Sequence, residues 1–168
     1  MTVQAVLSAK AVISYVKSGE GGDLKQTTTI GADLTMKTGT ASEQQDLRYV
    51  ESATSIAASS SSNYDLAGSL TDDAGDTITF VEVTAIIVKA SADNTNDVVI
   101  GGAASNGFTG PFGGSTHTIA VQPGGTVMLI APKAGWTVTA GTGDILKIAN
   151  SGSGSAVVFD LAILGRSA

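Results

Sequence analysis

His117 is the only histidine in the chain, and Ser115 lies just before it, with aspartates elsewhere. Together these are the raw materials of a nucleophile–base–carboxylate arrangement. A serine nucleophile of that kind sits on a Gly-x-Ser-x-Gly elbow that opens a helix, and neither the elbow nor a helical pattern follows Ser115. His117 therefore reads as a strand residue with one face wet. Asp72, Asp73 and Asp76 crowd around Gly75, which raises the question of a calcium loop. The alternate-position carboxylates and closing Glu of an EF-hand are missing, whereas Asp and Gly between two β-rich runs suit a hairpin turn. The crowding still leaves room for a surface cation shared between subunits. Gly101-Gly102, Gly113-Gly114 and Gly124-Gly125 are not followed by Lys-Ser or Lys-Thr and do not open helices, so they read as turns rather than phosphate cradles. No catalytic residue, metal ligand or cofactor is assigned.

Three aromatic residues carry the remaining chemistry. Trp136 follows Pro132 and Gly135 and precedes Thr-Val-Thr; it either caps the core or stacks on a sugar ring. Phe108 and Phe112 lie in Asn-Gly-Phe-Thr-Gly-Pro-Phe-Gly-Gly (residues 106–114), whose glycines and proline rule out a regular strand. That loop either tucks both rings under the domain or offers them to a partner, since exposed apolar loops are costly unless covered.

These residues must be positioned by strands. The segment 63–67, a turn of Asp and Gly, and the run 77–90 make an all-β fold. Further strands are expected over 97–100, 117–121, 126–130, 136–140, 145–149 and 156–164, and earlier over 47–56. The breaks between them carry Gly, Pro, Asn and Asp, which supply positive φ, fixed φ or Asx turns. Short strands at regular spacing with such turns indicate a β-sandwich or jelly-roll-like domain. The run 84–88 is apolar on both faces and belongs in the middle of the sandwich, with a bend or bulge separating it from Phe80. The serines 59–62 read as a polar turn.

The N-terminal part is ambiguous in period. A strand is expected over residues 11–16, a loop over 17–23, and β-rich sequence over 27–36 broken at Gly31. This divides the chain into an extended N-terminal segment, residues 1–55, and a sandwich domain, residues 56–168. The segment is the least sandwich-like part, and its apolar residues Val12, Ile13 and Tyr15 are expected to touch a neighbouring subunit by strand addition.

Composition narrows the classes of function. The 168 residues carry 14% charged and 5% aromatic side chains, 21 glycines and a net charge of −6. Nine scattered Lys and Arg do not make a phosphate-binding surface, so nucleic acid is not an expected partner. Without cysteine there are no disulfides or thiolate sites. No apolar run reaches membrane-spanning length, and Lys10 interrupts anything like a signal peptide.

The motifs from Asp65 onward carry a resemblance. Asp-Leu-Ala-Gly-Ser-Leu-Thr-Asp (65–72) leads into Thr-Ile-Thr-Phe (77–80) and Val-Thr-Ala-Ile (83–86). Ile-Gly-Gly (100–102), Gln-Pro-Gly-Gly (122–125), Gly-Trp-Thr-Val-Thr-Ala-Gly (135–141) and Asp-Leu-Ala-Ile-Leu-Gly (160–165) follow. The chain from about Ile56 onward resembles small virion structural proteins of tailed bacteriophages. The resemblance implies a head-decoration or auxiliary capsid protein, made in the host cytoplasm and found on the capsid surface. Its expected partner is the major capsid protein or another virion protein, and the chain is expected to be a homo-oligomer. It carries no catalytic residues over. The rival expectations are a tail, baseplate or fibre protein, and a carbohydrate-binding module built on Trp136 and the loop around Phe108.

Overall fold

A computed structural model describes residues 3–20, 22–72 and 74–168. Among them there are only strands, turns and loops. In chain order the strands are β1 (Ala5–Gly19), β2 (Gly22–Thr38), β3 (Gln44–Gln45), β4 (Leu47–Ile56), β5 (Ser61–Asp65), β6 (Leu70–Thr71), β7 (Thr77–Ile78), β8 (Glu82–Ala90), β9 (Val98–Gly101), β10 (Thr118–Val121), β11 (Thr126–Ile130), β12 (Trp136–Thr137), β13 (Ile145–Asn150) and β14 (Val157–Arg166). The strands β11-β8-β14-β4, with β12 added beside β8, make one antiparallel sheet, and β10-β9-β13-β5 make the other.

Period-2 alternation explains why these sheets face each other. Along β14, Val157, Phe159, Leu161 and Ile163 are buried on the inner face. They meet Ile86, Val88 and Ala90 of β8, and from the other sheet Tyr64, Val98, Ile100, Leu146 and Ile148. The Val, Leu, Ile and Phe side chains among them each contribute about 1.5–3 kcal/mol of transfer free energy when fully buried. The all-β sandwich expected from the sequence is the observed fold. β8 lies between β11 and β14, and Thr79–Val81 interrupt the run 77–90 between β7 and β8.

The outer face of the β8 sheet is covered as well, and this accounts for the apolar character of residues 84–88 on both faces. β1 and β2 form an antiparallel ribbon whose base folds over that face. There Leu7 and Met36 pack with Ala85 and Leu164, flanked by Ala5, Leu34, Ile87, Met128 and Ile130. Thr38 ties the base down by donating its hydroxyl to the Val3 carbonyl at 2.6 Å. At the neck, β3 runs parallel to the end of β2 and Gln45 is fully buried.

The N-terminal segment differs from expectation in three ways. The strand expected over residues 11–16 begins at Ala5 and runs to Gly19. The loop expected over 17–23 shrinks to a tight reversal, because glycines flank it and Gly22 adopts φ 110. Gly21 and Met1 lie outside the described residues. Gly31 does not break β2: it sits at φ 116 opposite Lys10, and a Cβ there would stand 1.9 Å from the Ala9 carbonyl oxygen. Glycine thus keeps the two strands paired at that point.

The domain boundary also moves, from residue 55 to about residue 45. β4 pairs along β14 and closes one edge of the sandwich. Smaller shifts have local causes. β5 starts at Ser61 and stops at Asp65, whose carboxylate accepts the Ala67 N–H at 2.9 Å in an Asx turn. Serines 61 and 62 are therefore strand, and the turn is centred on Ala58 and Ser59, closed by the Ser60 N–H on the Ala57 carbonyl at 3.2 Å. β12 stops at Thr137, since the Gly143 N–H bonds the Thr139 carbonyl at 2.8 Å and curls the chain.

Candidate interaction surface

His117 and Asp72 occupy separate turns, one before β10 and one between β6 and β7. His117 is exposed in the turn before β10, with Nδ1 2.9 Å from the Phe112 carbonyl oxygen. It is a turn residue rather than the strand residue expected. Asp72 spends its carboxylate on its own turn, accepting the N–H groups of Ala74 at 2.8 Å and Asp76 at 3.0 Å. Gly75 at φ 88 completes that hairpin between β6 and β7. Asp73, the third aspartate considered there, lies outside the described residues. Among the described residues no group of three or more His, Cys, Asp or Glu could hold a metal ion.

The loop 106–114 resolves into two different environments. Phe108 is 3% exposed inside the main core, and its N–H bonds the Ile145 carbonyl at 2.9 Å. A partner contact through Phe108 is therefore corrected to a core tuck. The glycines around it let the backbone reach β13 while the ring turns inward. Phe112 is half-buried against the same core. Trp136 is also half-buried against it, with Gly110 so close that a Cβ would stand 2.5 Å from the Trp136 Cβ. That packing makes Trp136 a cap on the core.

One polar cluster sits inside the sandwich. Glu51 of β4 accepts hydrogen bonds from the Thr54 hydroxyl at 3.0 Å, from the Tyr64 hydroxyl at 2.8 Å and from the Tyr49 hydroxyl. The two tyrosine rings meet edge-to-face with centroids 6.0 Å apart. Burial pushes both phenols well above their ordinary range, and the Glu51 hydrogen bond and negative charge push the same way. The cluster bridges the two sheets, since Glu51 is on β4 and Tyr64 on β5.

The sign of the resulting pH dependence follows directly. Phenols held protonated in the folded state add stability below their unfolded value of about 10, and that stability is lost as pH rises above it. The urea midpoint is expected to stay level from pH 7 to 9 and fall from about pH 10 upward. Tyr64→Phe should make that fall shallower. An identical alkaline slope in the variant would remove Tyr64 from the linkage.

The surface with the features of an interaction site is the ribbon. Beyond its base every side chain described from Ser8 to Asp33 is exposed. The large apolar ones include Val12 at 58%, Ile13 at 55%, Tyr15 at 53%, Leu24 at 64% and Ile30 at 62%. The register places them on two faces. Ile13, Tyr15, Leu24 and Ile30 share the face of Leu7 and Met36, whereas Val12 lies on the opposite face with Val6 and Val16. Sequence reading found Val12, Ile13 and Tyr15 but missed Leu24 and Ile30. Pairing residues 5–19 against 22–38 across the Gly-Glu-Gly-Gly reversal would have found them. Comparison of the chain with protein-family models, curated proteins and solved structures returns no match.

Proposed function

We propose that this chain is a structural protein of a tailed-bacteriophage virion, a head decoration that attaches to the major capsid lattice through its β1–β2 ribbon. The observation that carries this reading is the ribbon itself. An isolated two-stranded ribbon is marginal in water, and this one holds large apolar side chains in solvent on both faces. Such a surface calls for a partner, and a lattice repeats weak contacts until avidity makes occupancy high.

Two further points support it. The motifs between Asp65 and Gly165 resemble those of phage virion proteins and map here onto turns and strands of one sandwich. The strand order is the other. Counted in chain order, the eight strands of the two sheets run first–eighth–third–sixth and second–seventh–fourth–fifth. We read this as a jelly roll, an arrangement used by viral capsid domains and by lectins. Architecture alone does not choose between those uses. The half-buried Trp136 and the buried Phe108 weigh against the carbohydrate reading.

The test removes the ribbon without touching the body. Replacing residues 9–32 by Asn-Gly joins the Ser8–Asp33 rung and leaves Leu7, Leu34 and Met36 in place. A cut from Met1 through Gly22 would instead strip Leu7 from the base and leave β2 unpaired. The shortened protein is expected to unfold at the same urea concentration and to lose co-sedimentation with heads of the encoding phage by at least 100-fold. Undiminished co-sedimentation, or attachment of the full chain to tails instead of heads, overturns the reading.

A further inference from the structure

We propose that two copies of this chain pair through the free edge of β1, antiparallel and about a two-fold axis at Ser14, so that their ribbons join into one four-stranded sheet. The inference goes beyond the reading above and does not depend on it.

The hydrogen-bonding edge is the first argument. β1 is 15 residues long and, among the described residues, ends its sheet with β2 on one side. Half of its N–H and C=O groups therefore point away from β2, along a strand paired without a register shift. Residues 11–16, Ala-Val-Ile-Ser-Tyr-Val, hold no charge, proline or glycine, the composition that pairs most readily with another strand. The edges of the body are guarded instead. β5, β10 and β11 are four or five residues long. β4 is interrupted at Ala53, which adopts φ 52 and gives its N–H to the Asp160 carboxylate at 2.9 Å. The outer edge of β2 passes Gly31 at φ 116, outside the range of strand backbone, and β3 takes its end.

Self-complementarity names the occupant. Val12-Ile13-Ser14-Tyr15-Val16 has the same pattern read in either direction. An antiparallel pair about Ser14 sets Val12 opposite Val16 and Ile13 opposite Tyr15 on both sides of the axis, as a two-fold interface requires. Pairs of β-branched residues, or of an aromatic with a β-branched one, are favoured cross-strand neighbours. Lys10 falls opposite Ser18 and Lys17 opposite Ala11, so no like charges meet. The axis stands perpendicular to the sheet, which keeps Ile13 and Tyr15 of both copies on one side.

The free length of the ribbon fixes the register. In this pairing Gly19 lies opposite Ala9, the first residue beyond the Ser8–Asp33 rung at which the ribbon leaves its base. Moving the axis to Ile13 would drive Gly19 against Leu7, which is buried on the body. The overlap from Ala9 to Gly19 spans about 35 Å and makes roughly ten hydrogen bonds, the number a standard interface carries. It also takes a two-stranded ribbon, marginal in water, past the three strands that independent stability requires.

Sedimentation equilibrium and cysteine cross-linking of the isolated full chain test this without any phage particle. The wild type is expected to be dimeric at micromolar concentration. The chain has no cysteine, so a single introduced one reports its own position. Ser14→Cys faces its own copy across the axis at a separation a disulfide spans, whereas Ser18→Cys lies about 27 Å from its copy. Diamide, a thiol oxidant, should therefore cross-link the Ser14 variant at least 20-fold faster. Replacing Ile13 and Tyr15 both by Glu opposes carboxylates twice and should weaken association by about 100-fold. Ile13→Glu with Tyr15→Lys opposes unlike charges and should recover most of it. All four positions are exposed, so the body should fold as in wild type. A wild type that stays monomeric at 100-fold higher concentration overturns the proposal. So does a closed trimer, and so does equal cross-linking at Ser14 and Ser18, the mark of parallel strands. A dimer that ignores heads sinks only the head-decoration reading, and a monomer that decorates them sinks only this inference.

Discussion

Phe80→Ala is expected to cost about 3–5 kcal/mol of unfolding free energy, toward the upper end of that range. The ring is 1% exposed in the main core. What raises the cost is how little its surroundings can collapse. The Phe80 N–H bonds the Leu66 carbonyl at 2.8 Å, and the next N–H, of Val81, bonds the Arg166 carbonyl at 2.9 Å. Gly165 lies under the ring, where an added Cβ would stand 2.5 Å from a Phe80 ring carbon and 2.2 Å from the Glu82 carbonyl oxygen. A backbone pinned in this way keeps the cavity open. Urea unfolding followed by Trp136 fluorescence should show a lower midpoint with an unchanged slope. Val81→Ala, at a 41% exposed neighbour, should stay within about 0.5 kcal/mol. Gly165→Ala should be destabilising by itself, and the double variant less so than the sum, because the missing ring removes one of its two clashes. Strict additivity would show that the two sites do not share that space.

Arg166→Met is expected to cost about 3–5 kcal/mol, for an electrostatic reason. The guanidinium is buried, with its side chain 2% exposed, and Nη2 is 2.5 Å from Glu82 Oε2. Nε donates to the same oxygen at 2.6 Å, and the remaining hydrogens reach the carbonyls of Ala41 at 3.1 Å, Pro132 at 3.4 Å and Lys133 at 3.2 Å. Removing the cation leaves Glu82 and three carbonyls without it. Arg166→Lys should recover only a minor part, since a point charge cannot serve a fork of partners in different directions. The effect should also have a place. Ala41 lies in the connection between ribbon and body, so amide exchange over residues 39–45 is expected to quicken in Arg166→Met before the core loosens. Full protection of that connection in the variant would refute the clamp.

Much of the sandwich was legible in the amino-acid order. β4 and β11 were expected over residues 47–56 and 126–130 and have those bounds. Both are bracketed by turn residues, and β4 alternates inward and outward along most of its length. Ends slipped where side chains rather than backbone propensity stop a strand, as Asp65 does for β5. The ribbon was half legible. Its apolar residues fall on both faces, so no alternation marks a buried side, and its length emerged only from pairing two segments across a glycine-rich reversal. Phe108 was not legible at all. An aromatic ring among glycines can turn either way, and its direction depends on β13, more than thirty residues further on.

The sequence by itself determined an all-β sandwich, its turns and most of its strands, because alternation and Gly, Pro and Asp punctuation are local properties that need no partner. It also showed that Ser115 stands on no Gly-x-Ser-x-Gly elbow and that the aspartates around Gly75 lack the spacing of an EF-hand. Only the tertiary structure decided that β4 belongs to the body, that Phe108 faces inward, that Arg166 clamps the ribbon's neck, and that Ile13 and Tyr15 stand on the same face as Leu7. Those outcomes rest on contacts between residues far apart in the chain. Which surface is buried and which is left uncovered is a property of the packed whole.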